Sequence, residues 1–315
     1  MSAAGTWDVL VLGEVLVELS STQELTDGAQ LRLGFSGDAL NAAAAAAAAG
    51  ARTALLARVA DDELGEALLA RVAALGVDTA LVRRVPGQQG VYVVHADPSG
   101  AREFVYVRRG SAGSTLSAAD VAEAGLEDVG VVVGSGVTAA LSESALGALE
   151  EAARRAPRFL YDPNHRPRLI SAERAAQVLA RVAPHAELLT PACPGETGPL
   201  LGTTDPYDAA RRGRALGAAA VAVTLGGDGV LVDDGTGAEH LPALPPPALV
   251  DQTGAGDCLV GTVAARLALG DDLRTAVRLG TAAASLSLAG RGGTGHVPTL
   301  EQTRAHLGLV AEGAA

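Results

Sequence analysis

The chain has 315 residues, of which 48% are hydrophobic and 19% are charged, and this composition is ordinary for a globular protein. Its formal net charge of −12 disfavours binding to nucleic-acid phosphates or to anionic lipid surfaces. Only 3% of the residues are aromatic, which also argues against a surface that stacks nucleic-acid bases.

All 24 basic residues are arginine, because the sequence contains no lysine. This excludes a Walker A phosphate loop, protein-kinase chemistry and Schiff-base catalysis, since each of them depends on a lysine. Two cysteines, Cys193 and Cys258, are too few for a disulfide framework and fit a reducing compartment. No arginine precedes Arg32, so we expect no secretory signal and a cytoplasmic protein.

Short runs rich in β-branched residues alternate with longer helical stretches along the chain. In chain order we expect strand Val9 to Leu12, helix Asp38 to Ala49, strand Thr53 to Val59, helix Leu64 to Leu75, strand Val131 to Val133, a helix from Ser142, strand Phe159 to Asp162, a helix from Ser171, strand Leu188 to Thr190, a helix capped by Asp205, strands Ala219 to Leu225 and Val230 to Asp233, and helices near Asp257 to Leu269 and Leu273 to Ala289. Repeated strand–helix units predict an α/β fold with a parallel-rich central sheet that helices cover on both faces.

Two strand-like stretches, residues 14–35 and 90–109, interrupt this alternation because neither of them contains a crossover helix. In the second stretch, Tyr92 and Val94, and then Phe104 and Tyr106, alternate with smaller or polar residues, as the residues of a half-buried strand do. We expect both stretches to form a small β-sheet that acts as a lid. The lid would be inserted in one domain that spans residues 1–315.

The strongest chemical signal is the string Asp251-Gln252-Thr253-Gly254-Ala255-Gly256-Asp257, which opens a long predicted helix. Gly254 and Gly256 let the backbone approach a ligand closely. The first N–H groups of a helix are unpaired and lie at the positive end of its dipole, so they bind anions. A carboxylate beside them, here Asp257, can accept a proton while the developing negative charge is stabilised. The string therefore favours phosphoryl transfer.

This string resembles the second signature of the PfkB sugar kinases, the ribokinase-like family, in which an Asp and two variable residues precede Gly-Ala-Gly-Asp. Three further stretches in the family's order, and one glutamate, carry the resemblance over nearly the whole chain: Ser36 to Asn41, Arg58 to Gly65, Thr224 to Gly229, and Glu196. The resemblance implies a ribokinase-like fold and an enzyme that uses ATP and Mg²⁺ to phosphorylate a carbohydrate.

The resemblance also implies roles at the catalytic centre. Asp257 would act as general base on a sugar hydroxyl. The backbone of Gly254, Ala255 and Gly256 would form the anion hole for the transferred phosphate. Charge neutralisation and positioning are what phosphoryl transfer generally requires from a protein.

The remaining family roles concern the nucleotide and the metal ions. Thr224, Gly226 and Gly229 would line the ATP side of the site. Glu196 would orient Mg²⁺ through water, and Asp251 would help to hold a monovalent cation such as K⁺. For Asp251 a purely structural capping role is an equal alternative, and for Glu196 the alternative is a solvated helix residue.

Two stretches, Val105 to Ala112 and Tyr161 to Leu169, resemble elements of the 2-keto-3-deoxygluconate kinases within this family. The substrate of such enzymes is a sugar acid, whose carboxylate a planar arginine fork can bind through two hydrogen bonds. The residues that the resemblance assigns to the substrate are Gly37, Asp38, Asn41, Tyr92, Tyr106, Arg108, Arg166 and Asp257.

Other readings remain open at this point. A neutral-sugar kinase of the fructokinase or ribokinase type would use the same scaffold without converging arginines, and a non-catalytic sugar-binding protein could share the fold. A dinucleotide-dependent dehydrogenase is disfavoured, because no GxGxxG motif follows the first predicted strand. Family resemblance further implies a homodimer that pairs through the lid, and no nucleic-acid or membrane partner.

Overall fold

The computed structural model describes residues 7–21, 23–96 and 102–308. The strands in these ranges are β1 (Val9–Leu12), β2 (Leu16–Ser21), β3 (Arg32–Ser36), β4 (Thr53–Ala60), β5 (Val82–Val85), β6 (Val91–Ala96), β7 (Arg102–Val107), β8 (Val131–Ser135), β9 (Phe159–Asp162), β10 (Leu188–Leu189), β11 (Val221–Thr224), β12 (Val230–Asp233) and β13 (Ala238–Leu241). The helices are α1 (Asp38–Ala48), α2 (Glu63–Ala74), α3 (Ala118–Ala124), α4 (Gly136–Leu141), α5 (Glu143–Arg155), α6 (Ala172–Val182), α7 (Thr197–Leu201), α8 (Pro206–Ala215), α9 (Ala255–Ala268), α10 (Leu273–Ser287) and α11 (Leu300–His306).

Nine strands form the central sheet in the order β13-β12-β11-β10-β9-β8-β1-β4-β5. All neighbouring pairs are parallel except β11 with β12 and β12 with β13, which are antiparallel. Helices pack on both faces, so the predicted α/β architecture is confirmed.

The core is divided between the two faces of this sheet. Val9 and Val11 of β1 belong to one hydrophobic cluster, and Leu10 and Leu12 belong to the other. Successive side chains of a strand point to opposite faces, so a central strand that is covered on both sides must be apolar throughout. The cluster that contains Val9 includes residues of the alanine-rich helices α1, α9 and α10.

Alanine-rich sequence lets α1 and α9 approach each other closely. A Cβ atom placed on Gly261 of α9 would overlap the carbonyl oxygen of Ala42 in α1. This contact joins the second turn of α9 to the second turn of α1. The first turns, which carry predicted site residues, directly precede it in both helices.

Four strands form a second, smaller sheet in the order β3-β2-β6-β7. The two stretches without crossover helices supply these strands, as predicted. β2 is parallel to β6, and the other two pairs are antiparallel. The division of the chain into one domain with an inserted lid stays a prediction.

Several short elements have no recognisable pattern in the sequence and were not predicted. The strand β5 reads Val-Arg-Arg-Val and is only half buried, while β13 carries one buried residue. The helices α4 and α7 have six and five residues, which is too short for a recognisable helical period. Within the described residues, no helix is long and apolar enough to cross a membrane.

Candidate active site

A cavity of about 480 Å³ lies at the carboxyl ends of the central strands, beneath the small sheet. In parallel α/β sheets ligands bind in this crevice, because the loops that follow each strand meet there. Most of the residues predicted from the sequence line it: Gly37, Asp38, Asn41, Tyr92, Tyr106, Arg108, Arg166, Glu196, Thr224, Gly254, Gly256 and Asp257.

The start of α9 forms one wall of the cavity. Gly254 caps the helix with a φ of 82°, a left-handed conformation that favours glycine. A Cβ atom at Gly254 would lie 2.9 Å from the Cα of Gly293, whereas one at Gly256 would meet nothing within 4 Å. The backbone at Gly256 is therefore open toward the cavity. The N–H of Ala255 donates to the carbonyl of Gln252 at 3.3 Å, so of the three predicted anion-hole residues this one already has an acceptor.

Asp257 lies in the first turn of α9 with both carboxylate oxygens engaged. Asn41 Nδ2 donates to its Oδ2 at 2.8 Å, and Asn164 Nδ2 donates to its Oδ1 at 3.1 Å. Burial raises the pKa of Asp257 to about 6, the negative charge of Asp38 adds to this, and the two amides and Arg166 oppose it. The carboxylate is therefore mostly ionised at neutral pH. Its pKa lies near that pH, as is favourable for a general base.

Three more carboxyl groups border the same space. Burial raises the pKa of Asp38, of Asp162 and of Glu196. Ser135 Oγ donates to the Asp38 carboxylate, which holds it at the first turn of α1. The cavity is thus rich in acidic groups, and its electrostatic balance depends on the arginines beside them.

Glu196 connects two loops of the cavity wall. Its Oε1 accepts the backbone N–H of His165 at 2.6 Å, and its Oε2 accepts that of Ala192 at 2.9 Å. The predicted alternative of a solvated helix residue does not hold, because Glu196 is 7% exposed. The carboxylate still lines the cavity, so the predicted contact with a water ligand of Mg²⁺ stays a prediction.

Arg108 and Arg166 both reach the cavity, but their surroundings differ. Arg108 is buried and forms an ion pair with Glu14, which also accepts a hydrogen bond from Ser111 Oγ at 2.6 Å. Arg166 is exposed, and its Nη1 donates to the carbonyl of His165 at 3.3 Å. The positive charge of Arg166 lowers the pKa of Asp162 and of Asp257, and both arginines lower the pKa of Asp38.

The two lid tyrosines pack edge to face with ring centroids 6.5 Å apart. Tyr92 is one of the residues that the resemblance assigns to the substrate, and its hydroxyl donates to Glu18 on the adjacent strand. Tyr92 therefore presents its ring rather than a free hydroxyl. The guanidinium of Arg108 lies 5.6 Å from the Tyr106 ring centroid, a cation–π distance.

A family model described as pfkB family carbohydrate kinase matches residues 7–300. The chain belongs to this family. The resemblance noted in the signature strings is thereby confirmed, and the protein is a sugar kinase of the PfkB type.

Individual relatives of this PfkB kinase share most of its length. It is 34% identical over 299 residues to the 2-dehydro-3-deoxygluconokinase of Thermoproteus tenax, covering 92% of this chain and 91% of the relative. It is 30% identical over 304 residues to the enzyme of the same name from Escherichia coli K12, covering 90% and 96%. A solved Ribokinase II structure from E. coli with ATP and Mg²⁺ matches with a TM-score of 0.86 at 24% identity, covering 95% and 98%.

Thr224, Gly226 and Gly229 are the residues predicted to line the ATP side of this PfkB kinase. Of these three, Thr224 is the one that borders the cavity. Gly226 and Gly229 belong to the tight turn between β11 and β12. A Cβ atom at Gly229 would overlap the carbonyl oxygen of Leu241, so this glycine is required by the fold. A Cβ atom at Gly226 would meet nothing within 4 Å, which leaves that position open to a ligand.

Asp251, the predicted cation ligand, ties two loops together. Its Oδ1 accepts the N–H of Thr253 at 2.8 Å, and its Oδ2 accepts the N–H of Gly292 at 2.9 Å. These contacts favour the structural alternative. Across residues 7–21, 23–96 and 102–308, no group of three or more His, Cys, Asp or Glu side chains is arranged to hold a metal ion.

Sequence reasoning missed three residues that shape this site, namely Glu14, Asp162 and Asn164. Asp162 and Asn164 belong to a string in which only Arg166 had been given a role. Glu14 follows the first strand and gave no signal of its own. Its partner Arg108 is 94 positions away in the chain, a contact that no local pattern reveals.

Proposed function

We propose that this PfkB kinase transfers the γ-phosphate of ATP to a hydroxyl of a small sugar acid, with 2-keto-3-deoxygluconate as the favoured substrate. Relatives that carry the equivalent name, 2-dehydro-3-deoxygluconokinase, share 34% and 30% identity over nearly the whole chain. The observation that carries the substrate class is Arg166. Its positive charge acts on a cavity that also holds Asp257, whose pKa it lowers.

The chemistry follows from the first turn of α9. The Asp257 carboxylate accepts the proton of the sugar hydroxyl while that oxygen forms a bond to the γ-phosphorus and the bond to ADP breaks. Backbone N–H groups at Gly254 and Gly256 stabilise the charge on the transferred phosphoryl group. Proton acceptor and anion site thus lie within residues 254–257, at the start of one helix.

ATP and Mg²⁺ fit the residues on the opposite side of the cavity. Thr224 lines that side, Gly226 faces open space, and the carboxylates of the buried Glu196 and the partly buried Asp162 border the cavity. Mg²⁺ neutralises phosphate charge when it is bound with the nucleotide, and Glu196 would hold its water ligands. The K⁺ role of Asp251 and the cytoplasmic location remain predictions.

The substrate assignment is tested by ATP consumption with Mg²⁺ on a panel of sugars. The panel holds 2-keto-3-deoxygluconate, its galacto epimer, fructose, ribose and adenosine. We expect selective turnover of a keto-deoxy acid. Turnover of neutral sugars alone would keep the kinase and refute the sugar-acid assignment, and no turnover at all would favour the non-catalytic alternative.

A matched pair of variants tests carboxylate recognition. Arg166→Ala should raise the KM for the sugar acid about 10- to 100-fold, the value of one charge-assisted hydrogen bond, and should change the KM for fructose far less. Arg168→Ala is the control, since Arg168 is exposed and does not line the cavity. Equal effects of Arg166→Ala on both substrates would show that this arginine does not bind the carboxylate.

We also propose that two copies pair through the outer face of the small sheet. Leu19 pairs with Leu33 and with Val93, and Val93 pairs with Val105, so these four residues form one cross-strand row. Leu33 and Val105 are each 49% exposed, and Val107 is 61% exposed. A sheet face this apolar is typical of a protein interface. Sedimentation should give a dimer, and the double variant Val105→Glu/Val107→Glu should give a monomer; a monomeric unmodified chain would refute the proposal.

A further inference from the structure

Asparagine is rare in this protein and is concentrated at one point. The 315 residues include only two asparagines, Asn41 and Asn164. Both donate their side-chain amide to the same carboxylate, that of Asp257, and each contacts a different oxygen. Asn41 comes from α1, and Asn164 comes from the turn after β9. Two separate elements thus clamp one carboxylate from two directions.

Asn164 has an unusual backbone conformation. Its φ is 39°, and among the non-glycine residues of the described ranges it is the one with a positive φ. Such a conformation is strained for most side chains, although asparagine adopts it more readily than most. Strain of this kind persists only where the surroundings enforce it, and it is concentrated at functional sites.

The surroundings of Asn164 fix this conformation. Its backbone N–H donates to Asp162 Oδ1 at 3.1 Å, and the next N–H, of His165, donates to Glu196 at 2.6 Å. A Cβ atom on Gly136 would overlap the carbonyl oxygen of Pro163, so the start of α4 packs directly against the turn. Asn164 itself is 5% exposed. Its amide is therefore held in one place rather than free to turn.

We propose that Asn164 is a positioning residue that, together with Asn41, fixes the orientation of the Asp257 carboxylate toward the sugar hydroxyl. This inference rests on the proposed role of Asp257 as the base. With one amide on each oxygen, the carboxylate plane is defined by two contacts, and each oxygen keeps a lone pair for a substrate proton. A single amide would leave the carboxylate free to rotate about χ2.

The amides also act on the charge of Asp257. A hydrogen bond to the ionised form favours ionisation, so both amides lower the pKa of Asp257 while burial raises it. Removal of one amide must therefore raise that pKa. Charged groups on neighbouring elements also act on the pKa of Asp257. They are Asp38 from α1, Asp162 from β9, and Arg166 from the turn after β9.

The test compares Asn164→Gly with Asn164→Ala. Glycine adopts a φ of 39° without strain, so Asn164→Gly removes the amide alone, while alanine removes the amide and adds strain. In Asn164→Gly, the acid limb of the kcat/KM profile should move up by about one pH unit, the effect of losing one hydrogen bond to a charged group. At high pH, kcat should fall about tenfold with little change in KM. An acid limb that stays in place would overturn the proposal.

A second readout needs no substrate, so it separates this inference from the proposed function. At pH 8 Asp257 is ionised and its bond to Asn164 is strong, whereas at pH 5 it is mostly protonated. Asn164→Gly should therefore lower the Tm by about 2–4 °C more at pH 8 than at pH 5. In an Asp257→Asn background that difference should vanish. The same pH dependence in both backgrounds would overturn the inference, even for a protein that phosphorylates no sugar of the panel.

Discussion

The substitution Asp257→Asn should remove activity and, at the same time, stabilise the fold. The variant keeps the shape of the side chain and removes its charge and its capacity to accept a proton. General-base catalysis contributes about 10²- to 10⁴-fold to a rate, so kcat should fall by that factor. A kcat within tenfold of the unmodified enzyme would refute the assignment of Asp257 as the base.

The gain in stability follows from the raised pKa. Asp257 has a pKa of about 6 in the fold, against 3.8 for an ordinary aspartate side chain. Ionisation is therefore costlier in the folded state, and this cost appears as the pH rises above about 4 and is complete above pH 6. A difference of two pKa units corresponds to about 3 kcal/mol, which is an upper value because asparagine keeps only one of the two amide contacts.

Chemical denaturation at pH 4 and at pH 8 measures this effect. Asp257→Asn should match the unmodified protein at pH 4 and exceed it in free energy of unfolding at pH 8. Asp234→Asn is a control of opposite sign, since hydrogen bonds from Arg274 lower the pKa of Asp234 and its charge stabilises the fold above pH 4. Equal or lower stability of Asp257→Asn at pH 8 would refute the reasoning from burial.

Two further predictions concern stability. Glu14→Ala should cost about 3–5 kcal/mol in chemical denaturation, because it leaves the buried Arg108 charge without its partner; a cost under 1 kcal/mol would show that the pair is not coupled. Gly261→Ala should cost about 1–3 kcal/mol, because its Cβ would overlap the Ala42 carbonyl. Its control, Gly147→Ala, meets no atom within 4 Å in α5 and should stabilise by up to about 1 kcal/mol; similar effects at both glycines would refute the packing argument.

Apolar pattern made the central sheet predictable. The strands Val9–Leu12, Phe159–Asp162 and Val230–Asp233 have the bounds that the sequence predicts, because central strands that are buried on both faces are short apolar runs between turns. The strand Val82–Val85 has two arginines between its valines, so its pairing with β4 is set by tertiary contacts alone. An apolar run in the sequence therefore predicts a strand where that strand is buried on both faces, and not where it is half exposed.

Residue types at the site were predictable, whereas their partners were not. The string that ends in Asp257 predicts an anion site beside a carboxylate, from the properties of glycine and of a helix N-terminus alone. The contact between Asn41 and Asp257 spans 216 positions of the chain, and that between Tyr92 and Glu18 spans 74. Asn41 and Tyr92 are assigned to the substrate by resemblance, and this assignment stays a prediction; each of them also forms a hydrogen bond with a neighbouring side chain. Which side chains become hydrogen-bond partners depends on which strands and helices lie next to each other. Local spacing in the sequence does not encode this.

The distinction between the two arginines shows why these partners matter for specificity. Four carboxyl groups with raised pKa values border the cavity, so an anionic sugar meets an unfavourable field unless a positive charge offsets it. Arg108 forms a buried ion pair with Glu14, and its charge also lowers the pKa of Asp38. Arg166 is exposed and acts on the carboxyls directly. Arg166 is the exposed one of the two arginines, so we propose that the choice between a neutral and an acidic substrate depends on it.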